Sequence, residues 1–322
     1  MHILILGGGG FLGRRLAKEL INNGGLTQGA LIHITLVDIA FPEEIPQDSR
    51  LECIEADFSE EGAIKNLLLQ QPDIIFHLAA IVSGEAEKNL DQGMKINLHA
   101  SLQLLELCRK LVIHPRIVFA SSCAVFGGDV TKVIFDETSP MPLSSYGTQK
   151  AVVELLINDY SRKGFIDGRS LRLPTITVRP GKPNAATSSF VSSIIREPLQ
   201  GESATYPVPS ETEVWIQSPK CVIQNLIHAA NIDEKILGYN RIINLPGLTT
   251  SIREMINSLE EITNPEITKF ISYKPDEFLK SIVLTWPPRF DTRRANKLGF
   301  VSDKSPEEII RSYLEEEDIV NI

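Results

Sequence analysis

The sequence predicts an α/β fold: a doubly wound parallel sheet followed by a smaller C-terminal α/β lobe. Three observations carry this. Short β-rich apolar runs alternate with helical patterns through the first 180 residues, a glycine-rich turn joins the first strand to the first helix, and the alternation stops where prolines begin. Strands are expected over 1–6, 32–37, 51–55, 74–77, 117–120 and 170–173, with helices over 11–22, 60–69, 94–110 and 146–163 between them. Parallel strands need crossovers, so this alternation implies a parallel sheet with helices on both faces. Ile74-Ile75-Phe76 is continuously apolar, as a strand covered on both faces must be. Beyond residue 180, Pro180, Pro183, Pro198, Pro207, Pro209 and Pro219 interrupt the chain. Helices are expected there over 220–231, 251–263 and 307–317, the last opened by Ser305 as cap and Pro306 at its first position. The division expected is a dinucleotide-binding unit over 1–180 and a substrate-binding lobe mainly over 181–322, whose strands and helices can return to the first unit.

The composition narrows the function class. With 322 residues, 43% hydrophobic and 23% charged, the chain is an ordinary globular protein rather than a disordered or coiled-coil one. A net charge of -9 argues against a nucleic-acid surface, which needs a basic face. The four cysteines, Cys53, Cys108, Cys123 and Cys221, are scattered, so neither a disulfide framework nor a metal site is expected. No apolar run reaches membrane-spanning length, and the short run before the glycines is no signal segment. A cytoplasmic enzyme of small metabolites, with no membrane partner, is the expectation.

The glycine run carries the first chemistry. Gly7-Gly8-Gly9-Gly10-Phe11-Leu12-Gly13 follows a strand and opens a helix. Residues without a Cβ let backbone amides approach a pyrophosphate at the helix N-terminus. Two registers fit: Gly7, Gly10 and Gly13, or Gly8, Gly10 and Gly13, the second being the Gly-x-Gly-x-x-Gly of Rossmann-type dinucleotide folds. Asp38 ends the next strand. A carboxylate there can accept both ribose hydroxyls of the adenosine half and would repel a 2′-phosphate, so NAD is favoured over NADP. Arg14 and Arg15, just inside the helix, are the residues that pull the other way.

The second constellation is Tyr146 and Lys150, at i and i+4 on one helix face. A neighbouring cation favours phenolate over phenol and brings the tyrosine towards working pH. Of the six tyrosines only this one has a lysine four residues on. Ser122 lies at the end of an earlier strand, and that carboxyl edge is where doubly wound sheets bind ligands.

These pieces resemble the extended short-chain dehydrogenase/reductase family, which includes NAD-dependent epimerases and dehydratases. The matching positions are Gly7/Gly10/Gly13, Asp38, Ala56-Asp57-Phe58, His77-Leu78-Ala79-Ala80, Asn97, Ser121–Gly127 and Tyr146/Lys150, in the family's order over about the first 180 residues. The resemblance selects the Gly7 register. It implies that Phe11, Leu12, Asp57, Phe58, Leu78, Ala79, Ala80, Asn97 and Pro174 also line the cofactor. It further implies that Lys150 binds the nicotinamide ribose and that Tyr146 is the acid–base. Phe126 stands where the family usually has tyrosine. The helices containing Asn97 and Tyr146 resemble the pair that commonly forms a dimeric four-helix bundle in this family, so a homodimer is expected.

The same triad serves several reactions, so the lobe must decide among them. Nucleotide-sugar epimerases commonly carry an Arg-x-Phe-x-Tyr-Val-x-Asp-like stretch, and the corresponding residues here run from Glu213 to Lys220 without that arginine or aspartate. The segments 172–184, 188–190, 196–199 and 288–295 instead resemble the D-erythronate dehydrogenase branch. That resemblance implies NAD-linked oxidation of a four-carbon sugar acid at C2. Ser122 and Tyr146 would hold its hydroxyl, Arg179 or Arg289 would fork onto its carboxylate, and Ser83, Thr175, Asn184 and Ser188 would be further partners. A nucleotide-sugar epimerase or dehydratase of the same family, and a catalytically silent dinucleotide-binding regulator, are the alternatives.

Overall fold

The first strand has no polar side to offer solvent, since Ile3, Leu4, Ile5 and Leu6 are all buried. Successive side chains of a strand point to opposite faces, so it needs apolar cover on both. In the computed structural model, which describes residues 1–128, 132–181 and 186–319, Ile3 and Ile5 pack into one apolar layer and Leu4 and Leu6 into the other. The strands of this sheet are β1 (His2–Leu6), β2 (His33–Asp38), β3 (Leu51–Glu55), β4 (Ile74–His77), β5 (Arg116–Ser122), β6 (Asp167–Leu173) and β7 (Ile242–Asn244). Their order is β3-β2-β1-β4-β5-β6-β7 and every pairing is parallel. The order reverses between β1 and β4, which opens a crevice at their carboxyl ends.

The helices used below are α1 (Phe11–Asn22), α2 (Ala100–Cys108), α3 (Ser145–Arg162), α4 (Ser189–Leu199) and α5 (Pro219–Asn231). Helix α1 sends Leu16, Ala17 and Leu20 into one layer, where Leu226 and Ala229 of α5 join them. Helices α2 and α3 cover the opposite face through Leu104, Leu105, Val153 and Ile157. The expected helix over 94–110 is composite: Leu90–Gly93, then a π-helical stretch Met94–His99, then α2. Such π turns shift the register of a helix face and occur often at functional positions; this one carries Asn97.

The lobe has its own core, in which Val191 and Ile194 of α4 meet Met255, Leu259 and Ile310. Its three-stranded sheet runs Leu248–Ser251, Glu213–Gln217, Thr175–Ile176. The terminal helix Pro306–Glu316 starts with Pro306 at its first turn, and Ser305 Oγ accepts from Glu308 N at 3.3 Å. The chain beyond 180 is not confined to the lobe, because α5 and β7 return to the large sheet. Leu173 ends β6 in the large sheet and Thr175 opens a strand of the lobe. The junction between the two therefore lies at the carboxyl edge of the large sheet.

Candidate active site

The glycine run makes a cradle that tolerates no side chain on its protein side. Gly7 has φ +83° and a Cβ there would stand 2.8 Å from Ala79 N; one at Gly13 would overlap the Gly7 carbonyl. Gly10, the N-cap of α1, differs. A Cβ there would meet only the Gly7 carbonyl at 3.3 Å, because the residue is exposed to the groove. Crowding inside and open space outside fit a backbone surface shaped for a pyrophosphate at a helix N-terminus. Asp38 closes over this loop, accepting from Gly9 N at 3.0 Å and Ile39 N at 2.8 Å. Leu78, Ala79 and Ala80 follow β4 against the same loop, with Leu78 N donating to Leu6 O at 2.9 Å.

The triad comes together at the end of β5. Ser122 Oγ accepts from Ala124 N at 3.1 Å and hydrogen-bonds Tyr146. Ser144 caps α3 by accepting from Gly147 N at 3.1 Å, and a Cβ on Gly147 would overlap the Ala124 carbonyl. That missing side chain lets the start of α3 lie against the turn after Ser122. One turn on, Lys150 is 2% exposed and donates to Ala120 O at 2.8 Å, with its ammonium 4.5 Å from the Phe119 ring centroid and 5.6 Å from that of Tyr146.

Burial disfavours the charged form of both groups. It pushes Tyr146 up to about 12, opposed by the Arg179 cation and the Ser122 hydrogen bond. It pulls Lys150 down to about 7, opposed by the Glu154 carboxylate. Arg179 is thus a second cation that acts on the phenol, beside Lys150 on the same helix face. Glu154 is itself fixed, taking hydrogen bonds from Ser121 and both forks of Arg172.

Beside Ser122 and Tyr146 lies a cavity of about 120 Å³. Ser83, Thr175, Arg179 and Ser188, all expected substrate partners, line it, as does Pro174, which sequence resemblance assigned to the cofactor. Arg179 Nε donates to Ile176 O at 3.0 Å and its Nη2 to Ser188 Oγ at 3.0 Å. Both partners are neutral, and burial lowers its pKa. Ser83 Oγ and Thr187 Oγ1 share a hydrogen bond of 3.0 Å at the cavity edge. Val214, Trp215, Trp286 and Pro287 also line the cavity.

Some expected residues do other things. Arg289 does not line the cavity: its guanidinium is 46% exposed and pairs with Glu213. Asn97 is buried, its Oδ1 accepting from Ile81 N at 2.9 Å and its Nδ2 donating to Ile81 O and Gln149 Oε1 at 3.3 and 2.8 Å. It braces the loop after β4 against α3. The ring of Phe58 is buried edge-on to His77 at 5.6 Å. Asp57 holds Ser59 through its backbone N at 2.8 Å and its hydroxyl at 2.6 Å. Phe126 turns into an aromatic cluster with Phe290. Asn184 lies outside the described residues. Sequence patterns did not single out Trp286, Pro287 or the bracing role of Gln149. The one available signal was rarity, since both tryptophans of the chain line the cavity.

The model of the NAD dependent epimerase/dehydratase family matches residues 3–215. A D-erythronate dehydrogenase from Cupriavidus necator is 44% identical over 320 residues, 98% of each chain. One from Haemophilus influenzae is 44% identical over 315 residues, 98% of this chain and 99% of the other. A crystal structure described as a nucleoside-diphosphate-sugar epimerase from Agrobacterium tumefaciens superposes with a TM-score of 0.94 at 43% identity, covering 98% of this chain and 94% of that one. The chain belongs to the NAD-dependent epimerase/dehydratase family, which implies a nicotinamide dinucleotide cofactor.

Proposed function

We propose that this enzyme is a dehydrogenase that oxidises D-erythronate at C2 to the 2-oxo acid, 2-dehydro-D-erythronate, with NAD. The observation that carries this reading is Arg179, part-buried, whose Nε and Nη2 donate to neutral groups, which has no carboxylate partner among the described residues, and which lines the cavity beside Ser122 and Tyr146. A forked cation without a carboxylate partner suits a substrate carboxylate. The full-length relatives named for this activity support the same substrate.

The residues divide the work as follows. Arg179 would pair with the carboxylate, placing C2 and its hydroxyl against Ser122 and Tyr146. Ser122 would hold the hydroxyl oxygen, and Tyr146 would take its proton. The phenol must first pass its own proton to solvent water, which the Arg179 cation favours. Lys150, poised at about 7, can hold or release a proton near neutral pH. Bound NAD supplies the hydride acceptor, held by Gly7, Gly10, Phe11, Leu12, Gly13 and Asp38, with Lys150 at the nicotinamide ribose.

NAD rather than NADP follows from Asp38, a carboxylate anchored over the glycine loop. The two nearby cations are engaged, Arg14 with Glu44 and Arg15 with Glu316 and Glu317. A homodimer through α2 and α3 fits the outward face of α3, where Leu155 is 63% and Val152 37% exposed. A cytoplasmic location fits the four free cysteines, Cys53 among them exposed. An epimerase would need room for a nucleotide, and the cavity lies far below the roughly 300 Å³ at which sites for drug-sized ligands begin.

The test is NADH formation with D-erythronate against UDP-hexoses. Net NADH from the acid alone supports the dehydrogenase; interconversion of UDP-hexoses without net NADH would establish the epimerase instead.

A further inference from the structure

Trp215 and Trp286 both border the cavity, and they are fixed by separate means. Trp215 is 9% exposed and stacks on Phe290 at 5.1 Å and 29°, and Phe290 meets Phe126 edge-on at 5.8 Å. Its ring is part of an aromatic core. Trp286 follows the short helix Glu277–Val283, and its N–H donates to Val283 O at 3.1 Å. Pro287 and Pro288 come next, both buried, and Thr249 Oγ1 donates to Pro288 O at 2.7 Å. Proline fixes φ, so the backbone that carries Trp286 is stiff, and its side chain packs on the lobe core.

Ser83, Ser122, Tyr146, Thr175, Arg179 and Ser188 supply the polar groups of the cavity, and the two indoles and Pro287 fill much of the rest of its boundary. Each further hydroxymethylene of a longer acid would bring a carbon and a hydroxyl against this boundary. A wall that cannot retreat makes the extra carbon a clash.

We propose that Trp286, together with Trp215, sets the chain length of the acid: four carbons are accepted, and five or six are excluded by the indole wall. This rests on the sugar-acid oxidation proposed above. Trp286 is the residue to vary, because it belongs to neither the triad nor the aromatic stack.

The experiment compares NADH formation by the NAD-loaded wild type, Trp286→Ala and Trp286→Phe with D-erythronate and with five- and six-carbon aldonates of the same C2 and C3 configuration. One carbon at a pocket wall discriminates by roughly 10–200-fold. The expected result is a wild-type preference of that order for the four-carbon acid, reduced at least ~10-fold in Trp286→Ala and kept in Trp286→Phe. A merely structural role would lower both substrates together. A five-to-four-carbon ratio that stays at the wild-type value in Trp286→Ala overturns the wall. Should Trp286→Ala not fold, the wild type decides: melting temperatures raised equally by the four- and five-carbon acids overturn the proposal, and a rise with the shorter acid alone supports it. Wild type that oxidises erythronate with an unmoved ratio refutes the wall only; wild type that oxidises no aldonate refutes the function as well.

Discussion

Replacing Arg179 with methionine tests the reading of the site most directly. The change keeps much of the side chain's length but removes the cation and its fork. Two consequences follow from the geometry. A substrate carboxylate would be buried beside Ser188 with no counter-charge, and truncating one partner of a buried charge pair costs about 2–5 kcal/mol. At 1.36 kcal/mol per decade that is a loss of roughly 30-fold to a few thousandfold in kcat/KM. Tyr146 would also lose the charge that opposes its burial. Its pKa then rises, less phenolate is present at any given pH, and the alkaline rise of the rate moves to higher pH. The assay is NADH formation with D-erythronate across pH, run beside the neutral four-carbon polyol erythritol. The polyol has no carboxylate to strand, so it should report only the effect on Tyr146. Equal losses for acid and polyol with an unmoved pH profile would refute the carboxylate role and leave Arg179 a structural brace for Ile176 and Ser188.

Four further outcomes are expected. Tyr146→Phe should lower turnover by roughly 10²–10⁴-fold, the range of general acid–base catalysis, while dinucleotide titration by fluorescence stays unchanged. Asp38→Ala should raise the NADP-to-NAD ratio of kcat/KM by about 10-fold or more, because a carboxylate there is what repels a 2′-phosphate. Gly147→Ala should cost about 1–3 kcal/mol by overpacking against Ala124. Calorimetry should show a lower melting temperature, and turnover should fall further than stability because Tyr146 shifts from Ser122. Lys150→Met should abolish turnover yet raise the melting temperature at pH 7, since burial disfavours the ammonium. The sign follows from proton binding: between about 7 and 10.5 the unfolded chain holds a proton that the folded chain has shed. Wild-type stability therefore rises with pH across that window, and the mutant's advantage shrinks. A mutant that melts below wild type at pH 7 would count against this.

The parts of the fold that were legible are those set by local rules. The strand–glycine–helix turn needs residues without a Cβ over a few positions, and the alternation of buried strands and amphipathic helices repeats along the chain. Tyr146 and Lys150 were legible for the same reason, being one helical turn apart. What escaped depends on pairs distant in sequence. Arg289 carries the right chemistry, but Glu213 neutralises it across the lobe. No spacing relates Trp215 to Trp286, which the fold alone brings to one cavity.

Burial of the Tyr146 and Lys150 pair explains why an acid, and not a neutral polyol, is the substrate this site should prefer. The enclosure that pushes Tyr146 up to about 12 pulls Lys150 down to about 7. At rest the pair therefore tends towards two neutral groups, and Arg179 stands as the persistent charge facing the cavity. A part-buried guanidinium with no carboxylate partner among the described residues is poorly compensated. A neutral ligand can offer it only hydroxyl acceptors, whereas a carboxylate offers a charge-assisted, bidentate pair. Specificity for the acid then comes from that ion pair. It should appear in wild type as selectivity for erythronate over erythritol, and Arg179→Met should erase most of it.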